Sequence, residues 1–279
     1  MWHTRRPIMS AIPQELRAAA LHLLMETLPS KKAEGVRQLA ELWQRGQVSL
    51  TTDSALNPTG VIPGRPPRPE LVLPQRLKTR GAGSVEGRAI LIHALAHIEF
   101  NAINLALDAL WRFADLPVDY YADWLRVASE EALHFSLLSA HLATLGAQYG
   151  DHPAHDGLWD MAARTSDDVL ARIALVPRTL EARGLDASPV VRAKLAQAGD
   201  HAAAAILDVI LRDEIGHVAV GNRWFGWLCA QRGLDPIAAY ADLAVRYRAP
   251  QLHGPFNLEA RRAAGFSEPE LAALAALPK

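Results

Sequence analysis

Cysteine is nearly absent: the 279-residue chain has one, Cys229. A lone thiol excludes an intrachain disulfide, a four-cysteine zinc site and a rubredoxin-type iron centre. Its expected place is that of a small buried residue on a helix. Charge of one sign is lacking too. Lysine and arginine number 29 against 30 acidic residues, a formal net charge of −1, so no broad basic face for nucleic acid is advertised. No apolar run approaches the roughly 20 residues that span a bilayer. The Arg5-Arg6 pair hints at a twin-arginine export signal, but Gln14, Glu15 and Arg17 interrupt any apolar segment behind it. These absences point to a cytoplasmic protein with no membrane partner. Half of the residues are apolar, enough for one large core with appendages.

Nothing reads as strand. Residues 13–28 and 31–46 have the apolar spacing of amphipathic helices, with Leu16, Ala19, Ala20 and Leu23 in the first and Val36, Leu39, Ala40 and Trp43 in the second. Between 48 and 80 lie Pro58, Pro63, Pro66, Pro67, Pro69 and Pro74. That density forbids regular helix and suggests a linker or an arm wrapping the body. Long helical patterns occupy 84–114 and 119–146, where Asp119 reads as N-cap and Gly146 as stop. Residues 147–166 read as loop. A third helix over 167–183 is disturbed at Pro177, and 184–199 is broken by Gly184, Pro189 and Gly199. A fourth long helix covers 200–232, and shorter ones lie near 236–246 and 268–277. The expected organisation is an N-terminal helical pair (1–47), a proline-rich linker or arm (48–83), a four-helix bundle (84–232) and a C-terminal helical extension (233–279). Short, long and short connections imply an all-α bundle with a long crossover between its second and third helices.

Two Glu-x-x-His sequences fall on the second and fourth long helices: Glu131-Ala-Leu-His134 and Glu214-Ile-Gly-His217. A spacing of three puts carboxylate and imidazole on one face, within reach of one metal. Ferritin-like di-metal bundles add one Glu from each remaining helix. Glu99 is the only Glu in the middle of the first helix, and Glu181 lies near the end of the third. Residues 99 and 131 are 32 apart and 181 and 214 are 33 apart, as two related helix hairpins would give. Glu99 shares its face with Ile92, Leu95, Ala96, Ile103 and Ala106; Glu131 with Trp124, Val127, Ala128, Phe135 and Leu138; Glu214 with Leu207, Ile210, Leu211, Val218 and Phe225. The face of Glu181 is less clean, because Pro177 disturbs the count. Any one of these glutamates is more simply an ion-paired core-edge residue; the joint pattern points to metal. Four carboxylates are costly to bury alone, and two divalent ions would neutralise them. Carboxylate with imidazole suits iron or manganese.

Neighbouring groups read differently. Glu130 points about 100° from the apolar face, as a solvated group or one behind a ligand. Asp213 can orient a ligand histidine on another helix. His93 and His97 point about 120° and about 160° away from Glu99, which favours a surface or interhelix role. His141 is read as peripheral. His152 and His155, with Asp151 and Asp156, form a loop that either gates the site or serves as turn and cap. Arg183 and Asp186 are expected to pair at the end of the third helix.

The stretches HALAHIEFNAINLALDALWRF, YYADWLRVASEEALHFSLL, YGDHPAHDGLWDM, TLEARGLD, RDEIGHVAVGNRWF and GPFNLEARRAAGF resemble the bacterial ferritin-like family catalogued as domain of unknown function 455. The resemblance runs over residues 13–270 and implies a ferritin-like bundle with a metal centre. The di-iron tRNA hydroxylase acting on 2-methylthio-isopentenyladenosine is more distantly similar, through the bundle and the Glu-x-x-His pairs. The expected ligands are Glu99, Glu131, His134, Glu181, Glu214 and His217, with Glu131 and Glu214 bridging and catalytic. The expected cofactor is two iron ions, alternatively iron–manganese or two manganese ions. The expected activity is oxidation of a small-molecule or nucleoside-like substrate, for example hydroxylation, with dioxygen or peroxide and an external electron donor. The alternatives are a ferritin-like metal-storage or peroxide-detoxifying protein and a metal-stabilised binding module without turnover. A homodimer is compatible with all three.

Overall fold

Local capping chemistry sets where the helices begin. The carboxylate of Glu15 accepts from Ala18 N at 2.7 Å to start α1 (Leu16–Met25). A proline in the first turn starts α2 (Pro29–Gln44). Ser84 Oγ accepts from Gly87 N at 3.0 Å at the head of α3 (Val85–Arg112). Asp200 does the same for Ala203 N at the head of α8 (His201–Gln231). The computed structural model describes residues 12–77 and 81–277; the Arg5-Arg6 pair lies outside them. Between α3 and α8 run α4 (Val118–Thr144), α5 (Gly157–Arg164), α6 (Val169–Leu175), a π-helical segment (Val176–Glu181) and α7 (Ala182–Gln197). The chain closes with α9 (Pro236–Arg246), α10 (Leu258–Ala263) and α11 (Glu268–Ala275). No strand occurs among the described residues, and the all-α bundle expected from the sequence is found.

Four rods make the bundle: α3, α4, the continuous run α6–π–α7, and α8. Polar contacts fix their directions. Asp200, before α8, meets His141 near the end of α4 at 3.0 Å and Arg88 near the start of α3 at 3.5 Å. At the other end Arg172 of α6 pairs with Asp108 of α3, and Asp168, before α6, pairs with Arg232 after α8 at 3.0 Å. The connection from α4 to α6 therefore travels the bundle's length, and α5 lies within it. Residues of α1, α2 and all four rods share one buried core.

Several boundaries differ from the sequence reading. Residues 157–164 are helical, since Leu158, Met161 and Ala162 give one apolar turn too short to show periodicity. Asp119 lies in the first turn of α4, whose N-cap is Pro117. Gly184 and Pro189 do not break α7, because its packing on α8 overrides their propensities; Gly199, at φ +80°, ends the run. By length and composition α3 is apolar enough to cross a membrane, contrary to expectation. The reason is its central position: every residue from Glu99 to Trp111 is buried in the bundle.

The proline-rich segment wraps the body. Arg17, buried on α1, donates to Thr51 O, Thr52 O and Ser54 O as well as to Trp111 O. Lys32, buried on α2, donates to Gly64 O at 2.9 Å and Leu24 O at 3.1 Å. Arg65 grips Asp156 through two 2.6 Å bonds. Within the bundle Arg172 ties three elements together, donating to Asp108, Thr165 Oγ1 and Ala162 O. Arg172→Ala removes a buried cation that joins three elements, although Asp108 keeps Arg112 and Ala162 O keeps Thr165 Oγ1. A loss of about 3 kcal/mol is expected, read from the midpoint of urea unfolding.

Candidate metal centre

At mid-bundle, α3, α4 and α8 deliver acidic side chains to one buried place, with Glu181 of the fourth rod close by. Ligand atoms of Glu99, Glu131, His134 and Glu214 all lie within 4.8 Å of one another, and this group can hold a metal ion. Glu131 and His134 are fully buried; Glu99 and Glu214 are 4% and 8% exposed. His217, also fully buried, joins through Nδ1, which lies 2.9 Å from Glu131 Oε1 and 3.9 Å from Glu214 Oε2. His134 Nδ1 faces Glu99 Oε2 at 3.2 Å and Glu131 Oε2 at 3.4 Å. Glu131 thus stands between the two imidazoles and offers one oxygen to each. The ring centroids are 5.8 Å apart.

The outer nitrogens show a reciprocal arrangement. His134 Nε2 meets Asp213 Oδ2 at 3.0 Å, and His217 Nε2 meets Glu130 Oε2 at 2.8 Å. Each histidine is oriented by the acid just before the glutamate of the opposite helix, so both turn Nδ1 inward. Asp213 takes the place expected for it. The direction of Glu130 on its helix does not single out this part, although an acid stands directly before each Glu-x-x-His. Arg212 holds Asp213 at 2.8 Å, and Arg126 approaches Glu130 at 3.7 Å from the surface.

Inside the ring many polar atoms lack a hydrogen bond among the described residues: both oxygens of Glu131, Oε2 of Glu181, Oε2 of Glu214 and Nδ1 of His217. Buried polar atoms are ordinarily satisfied, and each orphan costs about 1–3 kcal/mol. Their convergence from three rods is what a cation would relieve. Protonation shows the same tension. Burial, then the charge of Glu131, pushes Glu99 and Glu181 each up to about 8, and Glu214 well above the carboxylate range. Burial opposes ionisation of Glu131 as well, but His217 and His134 outweigh it and hold this carboxyl low. Burial opposes charge on both histidines, yet the carboxylates of Glu131 and Glu99 beside His134 raise it to about 12, and Glu131 and Glu130 raise His217. Without metal the cluster holds itself together with protons.

Glu181 is placed differently from its expected position near a helix end. It is the last residue of the π-helical segment, midway along the α6–α7 run. A π turn inserts a residue and re-aims the side chains after it, which is why Glu181 does not follow the helical period of α6. The side chain is half-buried and lies close enough to Glu131, Glu99 and His217 to feel their charges. The segment leans on α8 at Gly221, where a Cβ would sit 2.8 Å from Pro177 Cβ and 3.0 Å from its Cγ. Gly221→Ala is expected to push the π turn outward and withdraw Glu181, lowering metal affinity about tenfold with helix content unchanged. Competitive titration against a chromophoric chelator, alongside circular dichroism, checks this.

His93 and His97 are buried rather than on the surface, and they hold the loop after α4. His93 Nε2 accepts from Gly150 N at 2.9 Å, and its ring stacks on Tyr149. His97 meets Tyr149 Oη at 2.9 Å and His155 O at 3.1 Å. Burial lowers both to about 4, so they are neutral. In the same loop Asp151 accepts from Gln148 N, His155 Nδ1 from Gly157 N, and His152 packs edge-on against His93. These contacts give the loop its turn and cap roles. Asp186 does not pair with Arg183, which is exposed; it binds Arg261 of α10 at 2.6 Å. Cys229 is buried on α8 as expected.

A family model described as "Protein of unknown function (DUF455)" matches residues 25–272. A curated protein of Haemophilus influenzae, named only "Uncharacterized protein", is 48% identical over 252 residues, covering 87% of this chain and 88% of the relative. No solved structure matches.

Proposed function

The chain belongs to the family described as protein of unknown function DUF455, and since that description assigns no activity we propose one from the site: a metal-dependent oxidoreductase built on a ferritin-like di-metal bundle. The observation that carries this is the cluster of buried carboxylate and imidazole atoms that α3, α4 and α8 bring within 4.8 Å of one another, several of them unpartnered. His134 and His217 would each bind one ion through Nδ1, held in register by Asp213 and Glu130. Glu131 and Glu214 would bridge, and Glu99 and Glu181 would complete the two ends. This oxygen-rich, thiolate-free donor set favours two iron ions, iron–manganese or two manganese ions over a structural zinc. When bound, such ions supply electrons to dioxygen or peroxide.

The protein's own contribution is enclosure. Glu131, His134 and His217 have no exposed surface, so a reactive oxygen species would be kept from bulk water. Cys229 is alone and buried, so the electrons would come from an external donor or from the organic substrate, a small-molecule or nucleoside-like compound. The test is stopped-flow absorbance of iron(II)-loaded protein mixed with dioxygen or with peroxide. Oxidation that is faster than for free iron(II), and is lost in Glu214→Ala, supports the reading. Rates equal to free iron(II) overturn it. Light scattering on the same sample separates an enzyme of few subunits from a many-subunit storage shell.

A further inference from the structure

We infer that Gly184 keeps open the passage by which a small exogenous ligand, an anion or diatomic molecule, reaches the metal positions beside Glu214 and Glu181. This rests on the proposed metal site and adds the route and the size limit of what enters.

Gly184 lies on α7 one turn beyond Glu181, on the same side of the helix. Its backbone is ordinary helix, so no unusual conformation requires glycine there, and alanine is the better helix former in that setting. What its absent side chain leaves is space. A Cβ at 184 would lie 4.0 Å from Glu214 Cδ, and no other neighbouring side chain or chain segment comes within 4 Å. Of the two glycines nearest Glu214 on α8, one lacks such space and the other faces an exposed arginine. Gly221 is filled by Pro177, and a Cβ at Gly216 would meet the Arg126 guanidinium at 3.7 Å.

Exposure grades the same way. Glu131, His134 and His217 are sealed, whereas Glu181 and Gly184 are partly buried and Glu214 keeps 8% of its surface. The orphaned Oε2 atoms of Glu181 and Glu214 belong to the residues flanking this gap. A ligand entering over Gly184 therefore arrives at the edge of the ring formed by α7 and α8. A branched side chain at 184 would extend into this space beside Glu214.

The test uses cobalt(II)-loaded full-length protein, with visible absorption reporting the metal environment and azide as the entering ligand. Wild type, Gly184→Ala and Gly184→Leu are each titrated with cobalt and then with azide. Cobalt stoichiometry and affinity are expected to stay within about threefold of wild type, while azide affinity falls about threefold in Gly184→Ala and at least about tenfold in Gly184→Leu. Unchanged azide affinity in a cobalt-loaded Gly184→Leu protein overturns the inference and leaves the metal site standing. If the leucine variant fails to take up cobalt, unchanged azide affinity in Gly184→Ala overturns it equally. Wild type that takes up no cobalt overturns the metal-site reading itself.

Discussion

Glu131→Gln is expected to abolish stoichiometric metal binding, a loss of more than about 100-fold in affinity for each ion. Glu131 is the one side chain with an oxygen toward each histidine, at 2.9 Å from His217 and 3.4 Å from His134. The amide keeps the shape but can present only one neutral oxygen. Removing Glu99 takes a ligand from the His134 side alone, so Glu99→Gln is expected to weaken binding without erasing it. Elemental analysis after anaerobic loading and desalting distinguishes these outcomes. Helix content is expected to be unchanged, because the surrounding stripes of Trp124, Val127, Ala128, Phe135 and Leu138 are untouched.

The second large effect is an opposite response of metal-free and metal-loaded protein to pH. Raised carboxyl groups at Glu99 and Glu181 bind protons in the folded state that the unfolded chain has already released between about pH 4.5 and about 8. Raised His134 does the same from its unfolded value upward to about 12. A folded state with excess protons loses stability as pH rises, so the melting temperature of metal-free protein should fall from about pH 6 to about pH 9. The lowered carboxyl of Glu131 acts the other way, adding stability above its unfolded value, but that window lies in acid and does not offset the fall. Divalent ions bind the deprotonated ligands and displace these protons. Stabilisation by metal should therefore grow with pH, reaching on the order of 10 °C at about pH 8 with ions well above their dissociation constant. Differential scanning fluorimetry with and without chelator reads the difference; a metal-induced shift that shrinks as pH rises would contradict this linkage.

Much of this site is legible in the sequence because each ligand rides a helix whose period is fixed. Glu99, Glu131 and Glu214 centre apolar stripes, and the i,i+3 pairs bring His134 and His217 to the same faces. Where the helix is regular, one residue's direction sets the next. That rule fails at Glu181, since a π turn at Pro177 changes the phase, and local sequence does not announce whether a proline kinks, ends or bulges a helix. It fails again at Gly184 and Pro189, where packing of α7 on α8 outweighs two unfavourable propensities. For His93 and His97 periodicity gives the right face and leaves surface and interhelix roles open. They do point away from Glu99, but no periodicity could reveal that the loop around Tyr149 and His155 folds over them. The second acid of each motif, Glu130 or Asp213, reaches across to the other helix, a tertiary relation that only the assembled bundle displays.

Metal content per chain is the most direct test of the central claim. Protein purified without chelator and loaded anaerobically with iron(II) is desalted and subjected to elemental analysis. Two ions per chain are expected in wild type and none in Glu131→Gln. Folded wild-type protein that retains no metal after loading would contradict it, and would leave the buried carboxylates and imidazoles as a proton-sharing core cluster instead of a metal centre.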